Sequence, residues 1–232
     1  MNRPSAEAVR AVPAPILVVV ALLAALLTGT GGTHDPAQAA AHVHAQQAHP
    51  LTAKQLAFHD QMRKLWEDHV TWTRLAIVSF ADGSAGFGAT AGRLLRNQSD
   101  IGKALSAYYG VAAGERVTAL LHDHITIAVE LLQAARAGDG AAFEAARVRW
   151  SANADEIADS LASLNPGSWP RAQLRAMMRT HLDQTLTEAA DELGGDYAGS
   201  VATYEEIHQH ILAMADVLSA GIMHQFPKRF RG

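Results

Sequence analysis

The chain has no cysteine in 232 residues, which excludes disulfide frames, thiol nucleophiles, thiolate metal sites and lipid attachment through cysteine. Aromatic residues make up only 6% of it, and its glycines and prolines fall mostly at breaks between apolar-periodic segments. No stretch of useful length alternates apolar with polar residues, so strands have little to form from. What remains is rich in alanine and leucine and points to an all-α protein. An excess of positive charge is missing too. The formal charge of −4 and pI near 6.3 give no attraction for nucleic acid. Long hydrophobic runs are also lacking. The most apolar segment, Ile16 to Leu27, has 12 residues, against the roughly 20 that a spanning helix needs.

That short run follows a start carrying Arg3 and Arg10 and precedes a small-residue stretch, the pattern of a secretory signal peptide over residues 1–39. The Ala-x-Ala sites Ala37-Gln38-Ala39 and Ala39-Ala40-Ala41 are candidate cleavage points. An arm with several histidines follows over residues 40–51. Cleavage after Ala39 exposes Ala40-Ala41-His42, whose amine, two amide nitrogens and imidazole make a square-planar set suited to Cu(II). Cleavage after Ala41 exposes His42 itself, with His44 close behind. The competing reading is a low-complexity linker.

The main domain is expected over residues 52–227, before a basic tail at 228–232 carrying Lys228, Arg229 and Arg231. Within it one pattern returns three times. His69, His124 and His181 each lie four residues after Leu65, Leu120 and Met177, and 14 residues before Gly83, Gly138 and Gly195. Beyond those turns, again 14 or 15 residues along, come Asn97, Asn153 and His210. Antiparallel helices rising about 1.5 Å per residue put each histidine level with its partner. The spacing predicts six helices as three antiparallel hairpin repeats, 52–109, 110–166 and 167–227, packed into one bundle-like domain. Predicted helices run over about 52–80, 87–107, 112–136, 140–163, 170–193 and 197–224. The second arms align as Arg93, Asn97, Ile101, Leu105; Arg149, Asn153, Ile157, Leu161; and Glu206, His210, Met214, Leu218.

Leu65-Trp66-Glu67-Asp68-His69-Val70-Thr71-Trp72-Thr73-Arg74, Leu94 to Gly102, Tyr108-Tyr109-Gly110, Trp150 to Ala158, Met214 to Ile222 and Gln225-Phe226-Pro227 together carry a resemblance. Over about residues 60–227 the chain resembles an uncharacterised family of small exported bacterial helical proteins. The resemblance implies export and an all-α fold, and it carries over no activity and no functional residue.

The third hairpin departs from the others in a directed way. It holds Met177, His181, His210 and Met214 where they hold Leu, His, Asn and Ile, and equal distances from the turn set these four to face one another. Two thioethers with two imidazoles suit Cu(I), and imidazoles alone also take Cu(II) or, less well, zinc. His69 with Asn97 and His124 with Asn153 read as a structural polar layer. The pattern is therefore expected to serve an exported, non-catalytic, copper-handling protein, with metal ligands His181, His210, Met177 and Met214 inside and His42 and His44 on the arm. The rival reading is an envelope interaction or structural module, free of any cofactor, whose His/Asn layer only fixes helix packing. Enzyme signatures are wanting. A di-iron set is incomplete with Glu205-Glu206-Ile207-His208 alone, and no P-loop, His-Glu-x-x-His or Gly-x-Ser-x-Gly motif occurs. A carboxylate–His enzyme using Asp100 or Glu156 is the remaining catalytic alternative, although Asp100, Glu156 and Asp216 are expected to pair with Arg74, Arg93, Arg149 or the histidine layer. Asn97-Gln98-Ser99 matches a glycosylation sequon by accident of a helical position. Trp66, Trp72, Trp150 and Trp169 are expected to plug gaps between hairpins. No protein partner or oligomeric state can be read from the residues.

Overall fold

A computed structural model of the chain describes residues 50–231. The expected signal peptide, its cleavage sites and the arm histidines His42 and His44 lie outside them. Among the described residues the protein is all-helical, with no helix long and apolar enough to cross a membrane. The helices are α1 (Ala53–Ala81), α2 (Phe87–Tyr109), α3 (Val111–Ala137), α4 (Gly140–Leu164), α5 (Arg171–Gly194) and α6 (Tyr197–Gln225), followed by a 3₁₀ turn at Pro227–Phe230.

Their ends follow from local chemistry. Thr52 caps α1 by accepting from the Gln55 amide, while the Gln55 side chain returns to the Thr52 amide, a reciprocal capping box. Asp139 and Asp196 cap α4 and α6 through the amides of Ala142 and Gly199. Gly138 and Gly195 end α3 and α5 with φ of 68° and 80°, a left-handed conformation that glycine adopts without steric cost.

Every helix packs against the next in the chain, and α6 returns to pack against α1. The six therefore close into a ring around one axis, rather than stacking hairpins in a row. The predicted inner stripes are buried: Asn97, Ile101 and Leu105; Asn153, Ile157 and Leu161; Met214 and Leu218. Arg149 and Glu206, at the outer ends of their stripes, are exposed. The α2–α3 junction is tight, because a Cβ on Gly114 would meet the Gly102 carbonyl and the Ser106 hydroxyl. Trp66, Trp150 and Trp169 are buried as expected, whereas Trp72 is half-buried under the Arg93 guanidinium, 5.2 Å from the ring centroid.

The expected tail behaves differently from a solvated segment. Phe230 is 4% exposed and stacks on Tyr108, with centroids 5.7 Å apart, and its carbonyl accepts from the Thr52 hydroxyl at 2.8 Å. The basic character of residues 228–232 concealed one aromatic anchor, so the packed chain reaches residue 230. The carboxylates also choose other partners than expected. Asp216 holds Arg63 and His59, Glu156 holds Arg116, and Asp100 is exposed. Arg74 instead pairs with Glu188, Arg93 with Asp68 and Arg149 with Glu130. Most of these pairs join consecutive helices or the α6–α1 closure, while Arg74–Glu188 crosses from α1 to α5.

Candidate functional site

His69, His124 and His181 come from α1, α3 and α5 and meet on the ring axis. They are 3%, 2% and 3% exposed, and the His181 ring centroid lies 5.6 Å from that of His69 and 6.5 Å from that of His124. Trp150 stacks on His124 at 5.0 Å, and Trp66 stands edge-on to His69 at 5.9 Å.

The second-arm residues hold this layer through the backbone. Asn97 donates to the Leu65 carbonyl at 3.0 Å, Asn153 to the Leu120 carbonyl at 3.0 Å, and His210 Nε2 to the Met177 carbonyl at 2.9 Å. In each case the acceptor lies four residues before the layer histidine. The carbonyls of the histidines themselves are also taken. Thr73 and Thr185 donate to those of His69 and His181 at 2.8 Å each, and the Trp150 indole to that of His124 at 3.1 Å.

The imidazoles are served less evenly. His124 Nδ1 lies 2.8 Å from Asn153 Oδ1, an oxygen that can only accept, so Nδ1 carries the proton and Nε2 the lone pair. His69 Nδ1 and His181 Nδ1 are buried with no partner, as are Gln98 Oε1 and Trp66 Nε1. Gln98 is fully buried beside Asn97, donating to the Leu94 carbonyl at 2.8 Å and to Asn97 Oδ1 at 3.2 Å. Burial, reinforced by the neighbouring His124 and partly opposed by the nearby Gln98 side chain, drives the His69 pKa down to about 3. Burial takes His124 to about 4, partly opposed by its bond to Asn153. It also holds His181 well below the ordinary histidine value, helped by His69, His124 and His210. All three rings are neutral near pH 7, the form that binds a metal.

The four residues of the sequence-predicted His/Met set lie on α5 and α6. His181 and Met214 are buried, and Met177 and His210 are half-buried. His210 spends its Nε2 on the Met177 backbone. Met178 is a core residue, and His208 turns outward to Glu67 at 3.1 Å. His122 bonds the Leu95 carbonyl at 3.0 Å, away from His124. Among the described residues no three His, Asp or Glu side chains converge closely enough, as they stand, to hold an ion.

Two features beside the layer escaped sequence reasoning. One is an apolar cavity of about 50 Å³ on its turn side, lined in part by Thr73, Ile77, Leu94, Ile125, Trp150 and Thr185. The other is a buried acid pair on α5. Glu188 bonds Arg74 at 2.7 Å, and Glu192 accepts from Ser200 at 2.6 Å. Burial raises the Glu188 pKa to about 7 despite its arginine partner. The i, i+4 spacing of Glu188 and Glu192 was visible, but nothing in it distinguished a buried pair from a solvated face.

No family model matches the chain, and neither a curated protein nor a solved structure does.

Proposed function

We propose that this is an exported, non-catalytic metal-handling protein, with copper as its leading ion. One observation carries the reading: histidines from three helices share one buried level, and His69 Nδ1 and His181 Nδ1 make no hydrogen bond of normal geometry there. A buried polar atom left unpaired costs on the order of 1–3 kcal/mol, so an arrangement that leaves several at one level favours a ligand. The expected leader and the His42/His44 arm supply the export and capture parts of the reading. Hairpins 52–109, 110–166 and 167–227 are taken as copies of one unit, which the three matched carbonyl bonds support.

The second reading, a scaffold whose polar layer sets helix packing, is favoured by those same bonds, since each second-arm residue satisfies a backbone carbonyl. Elemental analysis of the full exported protein, purified from its native compartment without chelators, separates the two. Metal handling predicts about one equivalent of copper. Less than a tenth of an equivalent of any transition metal leaves the scaffold.

A further inference from the structure

We propose that His69, His124 and His181 together form one three-imidazole site for Cu(I) on the axis of the ring. This rests on the metal-handling reading but replaces the ligand set expected from the sequence, since it uses no methionine. It also turns two histidines expected to be purely structural into ligands.

The spacing of the rings is the first support. Imidazoles sharing an ion in a trigonal plane, at about 2.0 Å from each nitrogen, place their centroids about 5.5 Å apart. His69 and His181 stand at 5.6 Å, and His124 and His181 at 6.5 Å. His69 and His181 already stand near that spacing, and His124 has to approach His181 by roughly an ångström, the scale of a side-chain rotation. The nitrogens are the second support. Asn153 fixes the His124 tautomer so that its Nε2 is a lone-pair donor, while His69 and His181 each keep Nδ1 unpaired. Gln98, whose Oε1 makes no hydrogen bond of normal geometry, lies close enough to His69 to act on its ring and can orient it once the ion is in place.

Charge and coordination number then choose the ion. The histidine–carboxylate contacts among the described residues involve His59 and His208, none of the three axial rings. Glu188 lies seven residues beyond His181, about 10 Å along the helix. The cost of burying an ion grows with the square of its charge, so without a carboxylate a monovalent ion enters at about a quarter of the divalent cost. Zinc also asks for a fourth ligand, and the adjoining cavity is walled almost entirely by apolar groups. Cu(I), a closed-shell ion, is content with three nitrogens in a plane.

The test uses the full exported chain, kept anaerobic and titrated with Cu(I) against a chromophoric chelator, followed by copper K-edge absorption spectroscopy. The expected result is one equivalent bound, with about three nitrogen scatterers near 2.0 Å and no sulfur shell. His181→Gln and His124→Gln should each lower Cu(I) affinity at least 100-fold, while His122→Asn leaves it unchanged. Should either variant fail to fold, the wild-type spectrum still decides the ligand set. A sulfur shell near 2.3 Å, tighter binding of zinc than of Cu(I), or loss of the copper with a His42→Ala/His44→Ala double variant would overturn the axial site while leaving metal handling intact. No binding of copper or zinc would overturn both.

Discussion

Each axial histidine resists protonation because an imidazolium there would be buried from water close to other imidazole rings. The unfolded chain takes up protons near the ordinary histidine value of 6.5, while the folded state holds His69 back to about 3 and His124 to about 4. Between those limits the unfolded state binds more protons, so stability rises with pH and is lost as pH falls below about 6.5. Glu188 acts with the opposite sign. Its folded value of about 7 exceeds the ordinary glutamate value of 4.5, so its contribution is full below 4.5 and fades as pH climbs towards 7. Three histidines outweigh one glutamate. For the metal-free protein, urea midpoints are expected to drop steadily from pH 6 to pH 4. His181→Gln should make that drop shallower, and Glu188→Gln should make it steeper. A flat profile would mean that the rings titrate normally. Asn97→Ala and Asn153→Ala should each cost about 1–3 kcal/mol in urea unfolding, by leaving the Leu65 carbonyl, half-buried, or the Leu120 carbonyl, buried, short of a donor. The level pairing behind this was legible, because it needs only helical rise and the 14-residue distance to a turn. Its target was not, since helical rise sets the level of a residue but not which group of the facing helix its side chain meets there. Gln98 stayed hidden within Asn97-Gln98-Ser99, where the order of letters suggested a sequon and only packing reveals an unpaired buried amide.

Helix limits were readable because the chain marks them with residues whose backbone preferences are strong. Gly83, Gly138 and Gly195 sit at positive φ where breaks were expected, and Pro170 directly precedes α5. Contacts between helices were less readable. Gly102 and Gly114 look like ordinary helix-weakening glycines until α2 and α3 are brought together, when each proves to leave room for the other's carbonyl. Gly114→Ala should therefore destabilise the protein by about 1–3 kcal/mol, against the gain that alanine gives in an open helix. Gly92→Ala, on the same helix as Gly102 but with open space around its Cβ position, should be neutral or stabilising. Thermal melts of the two variants settle the comparison, and equal effects would show that the close approach contributes nothing.

Closure of the ring is a property of the whole chain, and it is what sequence spacing could least supply. The 55- and 57-residue intervals between the histidines fit three hairpins in a row as well as three around an axis. Only the return of α6 to α1, sealed by the final residues, brings His69 beside His181. Phe230 packs on Phe58 and Tyr108, Thr52 donates to its carbonyl, and Lys54 donates to the carbonyl of Arg231. Phe230→Ala should cost about 3–5 kcal/mol, and its chief readout is faster amide exchange along α1 and α6. Exchange unchanged in both helices would place the closure elsewhere.

The axial site is tested most directly by crystals of the Cu(I)-loaded protein measured at the copper edge. One anomalous peak within about 2.0 Å of a nitrogen from each of His69, His124 and His181 is the expected result. A peak beside Met177 and Met214, a peak on the arm, or an empty axis at full copper loading would contradict it.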